Sequence, residues 1–366
     1  MFKPRLIAFY LPQFYPTPEN DKWWGKGFTE WTNVGRAKPL FKGHYQPRVP
    51  ADLGYYDLRI SEVREEQARL AKEAGIEGFC YWHYWFGNNK RLLHKVFSEV
   101  VESGKPDFPF CLCWANHSWA KKTWDPNQRG KDVILVEQIY PGVDDYTKHF
   151  YAMLPAFKDK RYMKTMDGKL IFGFYDPLHM VDTKTFFDLW NKLAKQEGLA
   201  GFYFFAYAYN EDRRDKALNK GFDAVTIDYL AFASHRTTIW EYIKREFLGV
   251  PSNLFKYENY VKYFLANYCY DKRIIPCPMP NYDHSPRSQR KGIILSDSTP
   301  ALWKELLEGI IQKCQKDNDS DEQIIFIKAW NEWGEGNYLE PDLKFGKKYL
   351  DVIKNVVRNM NNNSNA

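Results

Sequence analysis

Eight short apolar or aromatic runs alternate with amphipathic runs along the chain, and this alternation restricts the fold more than any other feature. The expected strands are Leu6–Leu11, Gly78–Trp85, Phe110–Ala115, Leu170–Tyr175, Gly201–Tyr207, Ala224–Asp228, Ile274–Pro278 and Ile324–Trp330. Between most of them lie helical patterns: Ser61–Ala74, Leu92–Ser103, Asp144–Phe157, Thr183–Glu197, Pro300–Gln315 and Phe345–Met360 carry apolar residues at three- and four-residue steps. Gly75, Gly104, Gly198 and Gly221 stand where a helix should stop. Near-continuous apolar strands are buried on both faces, as in a parallel sheet. Eight strand-helix units in one chain predict an α/β protein, a closed (β/α)8 TIM barrel rather than an open doubly wound sheet.

The 366 residues exceed a minimal barrel, and the surplus falls in two places. Residues 12–60, rich in Pro, Trp and Gly, and residues 229–273, with two extra helical patterns around Pro251, are long βα insertions. In a barrel both lie on the C-terminal face, where active sites are built. Residues 1–358 are therefore read as one catalytic barrel, and 359–366 as a disordered polar tail.

Composition excludes several classes. The chain is 44% hydrophobic and 27% charged, which fits neither a disordered nor a membrane-embedded protein. No run reaches the 18 or more apolar residues of a spanning helix. The net charge of +6 is spread along the chain without a basic stripe, so no nucleic-acid partner is expected. The N-terminus lacks a signal-peptide pattern. Six cysteines in such a chain read as reduced thiols, so a cytoplasmic location is expected. Aromatic residues make up 17%, and that surplus calls for an explanation.

The sharpest local signal is Ala329-Trp330-Asn331-Glu332-Trp333-Gly334-Glu335-Gly336, directly after the most apolar strand. On a strand Glu332 and Glu335 would face opposite ways, but a turn at Gly334 and Gly336 can bring both to one cavity. Paired carboxyls at a barrel strand end suit glycosidic bond cleavage, one donating a proton to the leaving oxygen and the other serving the anomeric carbon or its neighbour. The flanking Trp330 and Trp333 add indole faces on which sugars stack. The other strand ends agree: Tyr81-Trp82-His83-Tyr84-Trp85, Trp114-Ala115-Asn116-His117-Ser118-Trp119, Asp176, and Tyr282-Asp283-His284-Ser285-Pro286-Arg287. Asn, His, Asp and Arg with aromatic rings are what a sugar subsite uses. Any single one of these aromatics is more often core than ligand contact; the clustering carries the argument.

Other chemistries find less support. His83 and His117 lack metal-ligand spacing, and no metal or cofactor is expected. Asp317-Asn318-Asp319-Ser320-Asp321 fails as a calcium loop and, as a helix-to-strand connection, belongs to the bottom of the barrel, so it reads as a solvated loop. No Walker A or Gly-x-Gly-x-x-Gly sequence follows any strand. Cys111 and Cys113 read as packed thiols.

Together, Ala8-Phe9-Tyr10-Leu11-Pro12-Gln13-Phe14, the run from Asn20 to Val34 holding Gly27-Phe28-Thr29-Glu30-Trp31, Gly43-His44-Tyr45-Gln46-Pro47, His83-Tyr84-Trp85-Phe86 and Trp330 to Gly336 resemble the WbsX-like family over nearly the whole chain. That family belongs to bacterial O-antigen and capsule gene clusters, is often labelled glycosyltransferase, and is similar to glycoside hydrolase family 99, α-mannosidases and α-mannanases of (β/α)8 fold. The hydrolases' Glu-Trp-His-Glu falls on Glu332-Trp333-Gly334-Glu335, with both acids kept. The resemblance implies that Glu332 is the base taking the proton of the substrate's 2-hydroxyl, which attacks C1. It implies that Glu335 is the general acid, later the base for water, with retention. Glu30, Trp31, His83, Tyr84, Asn116, Asp283 and Arg287 match the WbsX-like pattern and are expected to bind substrate. The sequence departs at Gly334, where the hydrolases have His, and at His117, where relatives usually place a carboxylate.

The expected activity is cleavage or transfer of an α-linked, mannoside-like glycosyl unit of a bacterial surface polysaccharide, on an oligosaccharide or polysaccharide substrate. Catalysis falls to Glu332 and Glu335. Binding falls to Glu30, Trp31, Trp82, His83, Tyr84, Trp114, Asn116, His117, Asp176, Tyr282, Asp283, Arg287, Trp330, Asn331 and Trp333. The alternatives are a glycosyltransferase using a nucleotide- or lipid-linked sugar and a non-catalytic glycan-binding protein.

Overall fold

The computed structural model describes residues 3–121, 133–233, 245, 247, 249–317 and 322–363. Eight parallel strands make one sheet: β1 Lys3–Tyr10, β2 Gly78–His83, β3 Phe110–Trp114, β4 Leu170–Phe174, β5 Phe202–Ala208, β6 Ala224–Ile227, β7 Ile274–Pro276 and β8 Glu322–Ile327. Neighbours follow sequence order from β1 to β7, and β8 pairs with β1, Leu6 opposite Ile325. The backbone bond from Lys328 N to the Pro278 carbonyl (3.2 Å) joins the remaining seam between β8 and β7. All eight expected strands are present, so the fold is the (β/α)8 TIM barrel that the alternation predicts.

The strands are apolar on both faces because both faces are covered. β2, β3 and β4 are buried at every residue. The aromatic surplus goes largely into this packing. Inside the barrel Phe9 stacks on Trp82 (4.6 Å between centroids) and on Phe326 (5.1 Å), which in turn meets Phe205 (4.6 Å). Outside it Trp114, Phe186 and Trp190 fill the layer between strands and helices. Burying each such side chain is worth about 1.5–3 kcal/mol.

The helices that cover the strands are α1 Ser61–Ala74, α2 His94–Ser103, α3 Val143–Phe157, α4 Thr183–Gln196, α5 Glu211–Asn219, α6 Tyr257–Asn267, α7 Pro300–Asp317 and α8 Lys348–Asn363. Local chemistry sets several ends: Asp182 and Asn210 cap α4 and α5 by accepting from Thr185 N and Arg213 N, and Gly75 leaves α1 in the left-handed region at φ +93°. The sequence pattern missed α5, whose face is mostly polar and buries only Ala217.

Two expectations are corrected or limited. The chain expected to be disordered from 359 is helical to Asn363, because α8 keeps its hydrogen-bonded period past its last apolar residue, Met360. Of the two helices expected in 229–273, α6 falls on described residues; most of the stretch before Gly249 lies outside them, as do 318–321 of the acidic loop. Among the described residues no helix is long and apolar enough to cross a membrane. The insertion at 12–60 contributes two short helices, Pro18–Trp24 and Glu30–Arg36, the second closed by a capping box between Thr29 and Thr32.

Candidate active site

The strand β8 ends at Ile327, and the chain then folds into a tight unit: Asn331–Glu332 pairs with Asn337–Tyr338 around a single 3-10 turn, Trp333–Glu335. Gly336 closes the turn at φ +51°, where a Cβ would stand 2.8 Å from the Cβ of Asp283, so glycine serves both conformation and space. This turn brings Glu332 and Glu335 together on the C-terminal face of the barrel. They share one cleft with Leu11, Gln13, Trp82, Tyr84, Ala115, His117, Ser118, Trp119, Tyr175, Arg287 and Lys328, about 140 Å³ in volume and open at the mouth.

The two carboxyls have different surroundings. Glu332 accepts from Trp82 Nε1 (2.8 Å), a neutral donor. Glu335 accepts from Arg287 Nη1 (2.5 Å), and Lys328 Nζ and His284 Nε2 each lie 3.9 Å away. Burial and then the charge of Glu335 push the Glu332 carboxyl up from the usual carboxylate range. Burial also acts on Glu335, but Arg287, Lys328 and His284 outweigh it and hold that carboxyl down.

Behind Glu335 the charges continue. Arg287 donates through Nε (3.1 Å) and Nη2 (2.8 Å) to Glu30 Oε2, so the guanidinium bridges Glu30 and Glu335. Glu30 is fully buried, and burial raises its carboxyl despite Arg287. Lys328 lies between Glu335 and Asp228 (3.8 Å), over the rings of Tyr207 (5.4 Å) and Tyr282 (5.7 Å). Burial opposes the Lys328 charge, but Glu335 and Asp228 more than compensate and keep it an ammonium.

Of the residues singled out by sequence, Trp82, Tyr84, His117, Arg287, Glu332 and Glu335 line the cleft. Burial holds the His117 imidazole down at about 4, so it is neutral near pH 7, and its Nδ1 has no hydrogen-bond partner. The others stand behind the wall. Alternation along β2 sends Trp82 to the barrel axis and His83 outward, where His83 Nε2 meets His149 Nε2 at 2.7 Å. Trp31 Nε1 donates to the Tyr56 carbonyl, and Trp114 Nε1 to that of Trp85. Asn116 exchanges hydrogen bonds with the Asp176 backbone, while the Asp176 carboxylate pairs with Arg213. Trp330 packs on Phe79, Asn331 clamps the Leu11 backbone, and Trp333 stacks on Tyr338 (3.7 Å) and donates to Glu340.

Asp283 collects His44 Nε2 (2.8 Å) and Gln46 Nε2 (2.7 Å), facing a second, smaller cavity, and Tyr282 lies beneath Lys328. Sequence reasoning placed Trp119 in the run that closes the third strand and missed Gln13, Tyr175 and Lys328 as site residues. Tyr175 stands at the expected strand end and Gln13 in the Leu11-Pro12-Gln13-Phe14 motif, so both were findable. Lys328 was hidden because the strand was expected to run two residues past it.

Fold and cleft together define a TIM barrel with a buried carboxyl pair at the end of the eighth strand. The chain belongs to the family described as Glycosyltransferase WbsX, which matches residues 6–353. It is 37% identical over 356 residues to the uncharacterised protein WxcX of Xanthomonas campestris pv. campestris strain B100, covering 96% of this chain and 49% of that one, so it spans about half the length of that relative. Among solved structures, a GH99 endo-alpha-mannosidase from Bacteroides thetaiotaomicron aligns over 100% of both chains at a TM-score of 0.57 and 15% identity. A glycoside hydrolase-like protein aligns over 98% of this chain and 94% of its own at 0.60 and 13%. At these identities the likeness bears on the fold.

Proposed function

We propose that the protein cleaves or transfers an α-linked, mannoside-like glycosyl unit of a bacterial surface polysaccharide, with Glu332 and Glu335 as the reacting carboxyls. The observation that carries this reading is the pair itself: two buried carboxyls in unlike surroundings, on one side of a cleft whose rings are Trp82, Tyr84, Trp119 and Tyr175. Unlike surroundings separate the affinities of two acids for protons, which is what acid and base work on one bond requires. Neutral polar groups at Gln13, Ser118 and His117 supply partners for sugar hydroxyls. The reaction in this reading retains configuration through attack of the substrate's own 2-hydroxyl on C1. The resemblance assigns that proton to Glu332 and the leaving oxygen to Glu335. Six unpaired cysteines suit a cytoplasmic setting.

A nucleotide- or lipid-sugar-dependent transferase is the second reading, favoured by the description of the family. The test incubates wild-type, Glu332→Gln and Glu335→Ala protein with α-mannan and O-antigen-type oligosaccharides, with and without nucleotide sugars, following products by NMR from the first minutes. Donor-free cleavage giving the retained anomer and lost in both variants supports the proposal. Product only with a nucleotide sugar favours the second reading, and binding without turnover by wild type favours a glycan-binding role.

A further inference from the structure

We propose that the second cavity, behind the turn of Glu332 and Glu335, is a further carbohydrate subsite that takes vicinal hydroxyls at the edge of a neutral sugar unit. The inference rests on the reading of the protein as one that handles glycans, and not on the reaction at the cleft.

Three segments build the cavity. In the insertion after β1, Phe41 stacks on His44 (4.4 Å), and Leu40 N donates to His44 Nδ1 (3.0 Å). That bond fixes the tautomer: the imidazole is uncharged and gives its Nε2 proton to Asp283. In the insertion after β7, the strand Ile294–Ser296 runs antiparallel to Tyr282–Asp283 and parallel to Leu254–Lys256. After β8, Asp342 accepts from Tyr338 OH (2.6 Å) and Phe345 N (2.6 Å), which holds the loop carrying Lys344. Arg48 donates to the Gly336 carbonyl (2.9 Å), so the turn bearing Glu332 and Glu335 stands between this cavity and the cleft. No described residue lines both.

Charge and size select the ligand. The walls carry two cations, Arg48 and Lys344, and three carboxylates, Asp283, Asp297 and Asp342. A free cation is repelled by the first pair and an oxyanion by the three acids, whereas a neutral polyol finds donors and acceptors side by side. Buried Arg48 keeps a donor unspent, since its Nε has no hydrogen-bond partner. Such an orphan is costly and calls for an acceptor, which a hydroxyl oxygen supplies. The Lys344 ammonium lies over the rings of Tyr45 (4.8 Å) and Phe345 (4.9 Å), a second donor at the mouth. The volume of about 50 Å³ holds about three to five waters. That is room for the hydroxyls along one edge of a sugar ring; the ring itself would rest outside, against the half-buried Phe41 and Tyr45.

Hydrogen-exchange mass spectrometry on the wild-type protein, with and without α-mannan-derived oligosaccharides, tests the subsite, with turnover of the same samples followed by NMR. The expected result is slower exchange in residues 41–49 and 338–349, in addition to the cleft segments 82–85 and 115–119. Ser296→Trp, which plugs the cavity from a half-buried wall position, should abolish the first protection and keep the second. Lys344→Ala, at an exposed position, should raise the oligosaccharide concentration needed for the first about fivefold or more. Melting curves of both variants check that they fold. Protection confined to the cleft overturns the inference and leaves the proposed reaction standing. Protection at the second cavity of a protein that turns nothing over upholds the inference without that reaction. No protection at either place overturns it, as does equal protection of 41–49 and 338–349 by inorganic phosphate alone, the mark of an oxyanion site. Protection that survives both variants puts the glycan elsewhere on these loops and overturns it too.

Discussion

Glu30 Oε2 occupies the space that a side chain at Gly334 would need, with Arg287 Nε 3.0 Å from the same point. The one residue by which the turn departs from the hydrolases' Glu-Trp-His-Glu is thus matched by a carboxylate contributed 304 positions earlier in the chain. Gly334 and the Glu30–Arg287 pair form one structural unit.

Gly334→Ala should therefore push Glu30 off Arg287 and cost about 1–3 kcal/mol, the usual range for overpacking. Urea unfolding of Gly334→Ala, Glu30→Ala and the double variant checks it. The expected result is a coupling of about 1 kcal/mol or more, the double variant losing less than the sum. Strict additivity would show that the two positions do not compete for space.

Glu30→Ala by itself takes from the buried Arg287 the carboxylate that accepts from its Nε and Nη2. Removing one partner of a buried pair costs about 3–5 kcal/mol. Glu30→Gln, which keeps an acceptor for Arg287, should recover a good part of that loss in the same denaturation measurement.

Glu340 gathers Gln67 Nε2 (2.6 Å), Tyr56 OH (2.9 Å) and Trp333 Nε1 (2.5 Å), anchoring the indole in the turn between Glu332 and Glu335. Glu340→Ala orphans these buried donors at about 1–3 kcal/mol each. A fall in Tm together with loss of turnover is expected. An unchanged Tm would mean that water replaces the carboxylate.

Asp283 supplies a pH dependence. Burial raises its carboxyl, but the His44 hydrogen bond, Arg48 and Ser285 outweigh it and hold it down at about 2. The folded state thus binds the proton less tightly than the unfolded chain, whose Asp titrates near ~3.9. Its contribution, about 2 kcal/mol, is present above ~4 and is lost as pH falls toward about 2. Asp283→Asn should lower stability at pH 7 and flatten this part of the acid limb, as read by unfolding free energies between pH 2 and 7.

The barrel was legible because its signal is periodic and local: β2, β3 and β4 begin where the sequence places them, at Gly78, Phe110 and Leu170. Glu332 and Glu335 were legible as a pair because Gly334 and Gly336 mark a turn. Their neighbours were less so. Trp330 and Trp333 read as sugar platforms, yet both are fully buried, one on Phe79 and the other on Tyr338. Core and sugar subsite use the same residue type, and only the direction of the indole separates the two.

The sequence by itself determined the strand-helix repeat, the family and the two acids at the end of the eighth strand, since each depends on residues near one another in the chain. The tertiary structure decided which side chains reach the cleft and which acid meets the cations. Those depend on strand alternation and on contacts such as Arg287 with Glu30, 257 residues apart, for which no local pattern exists.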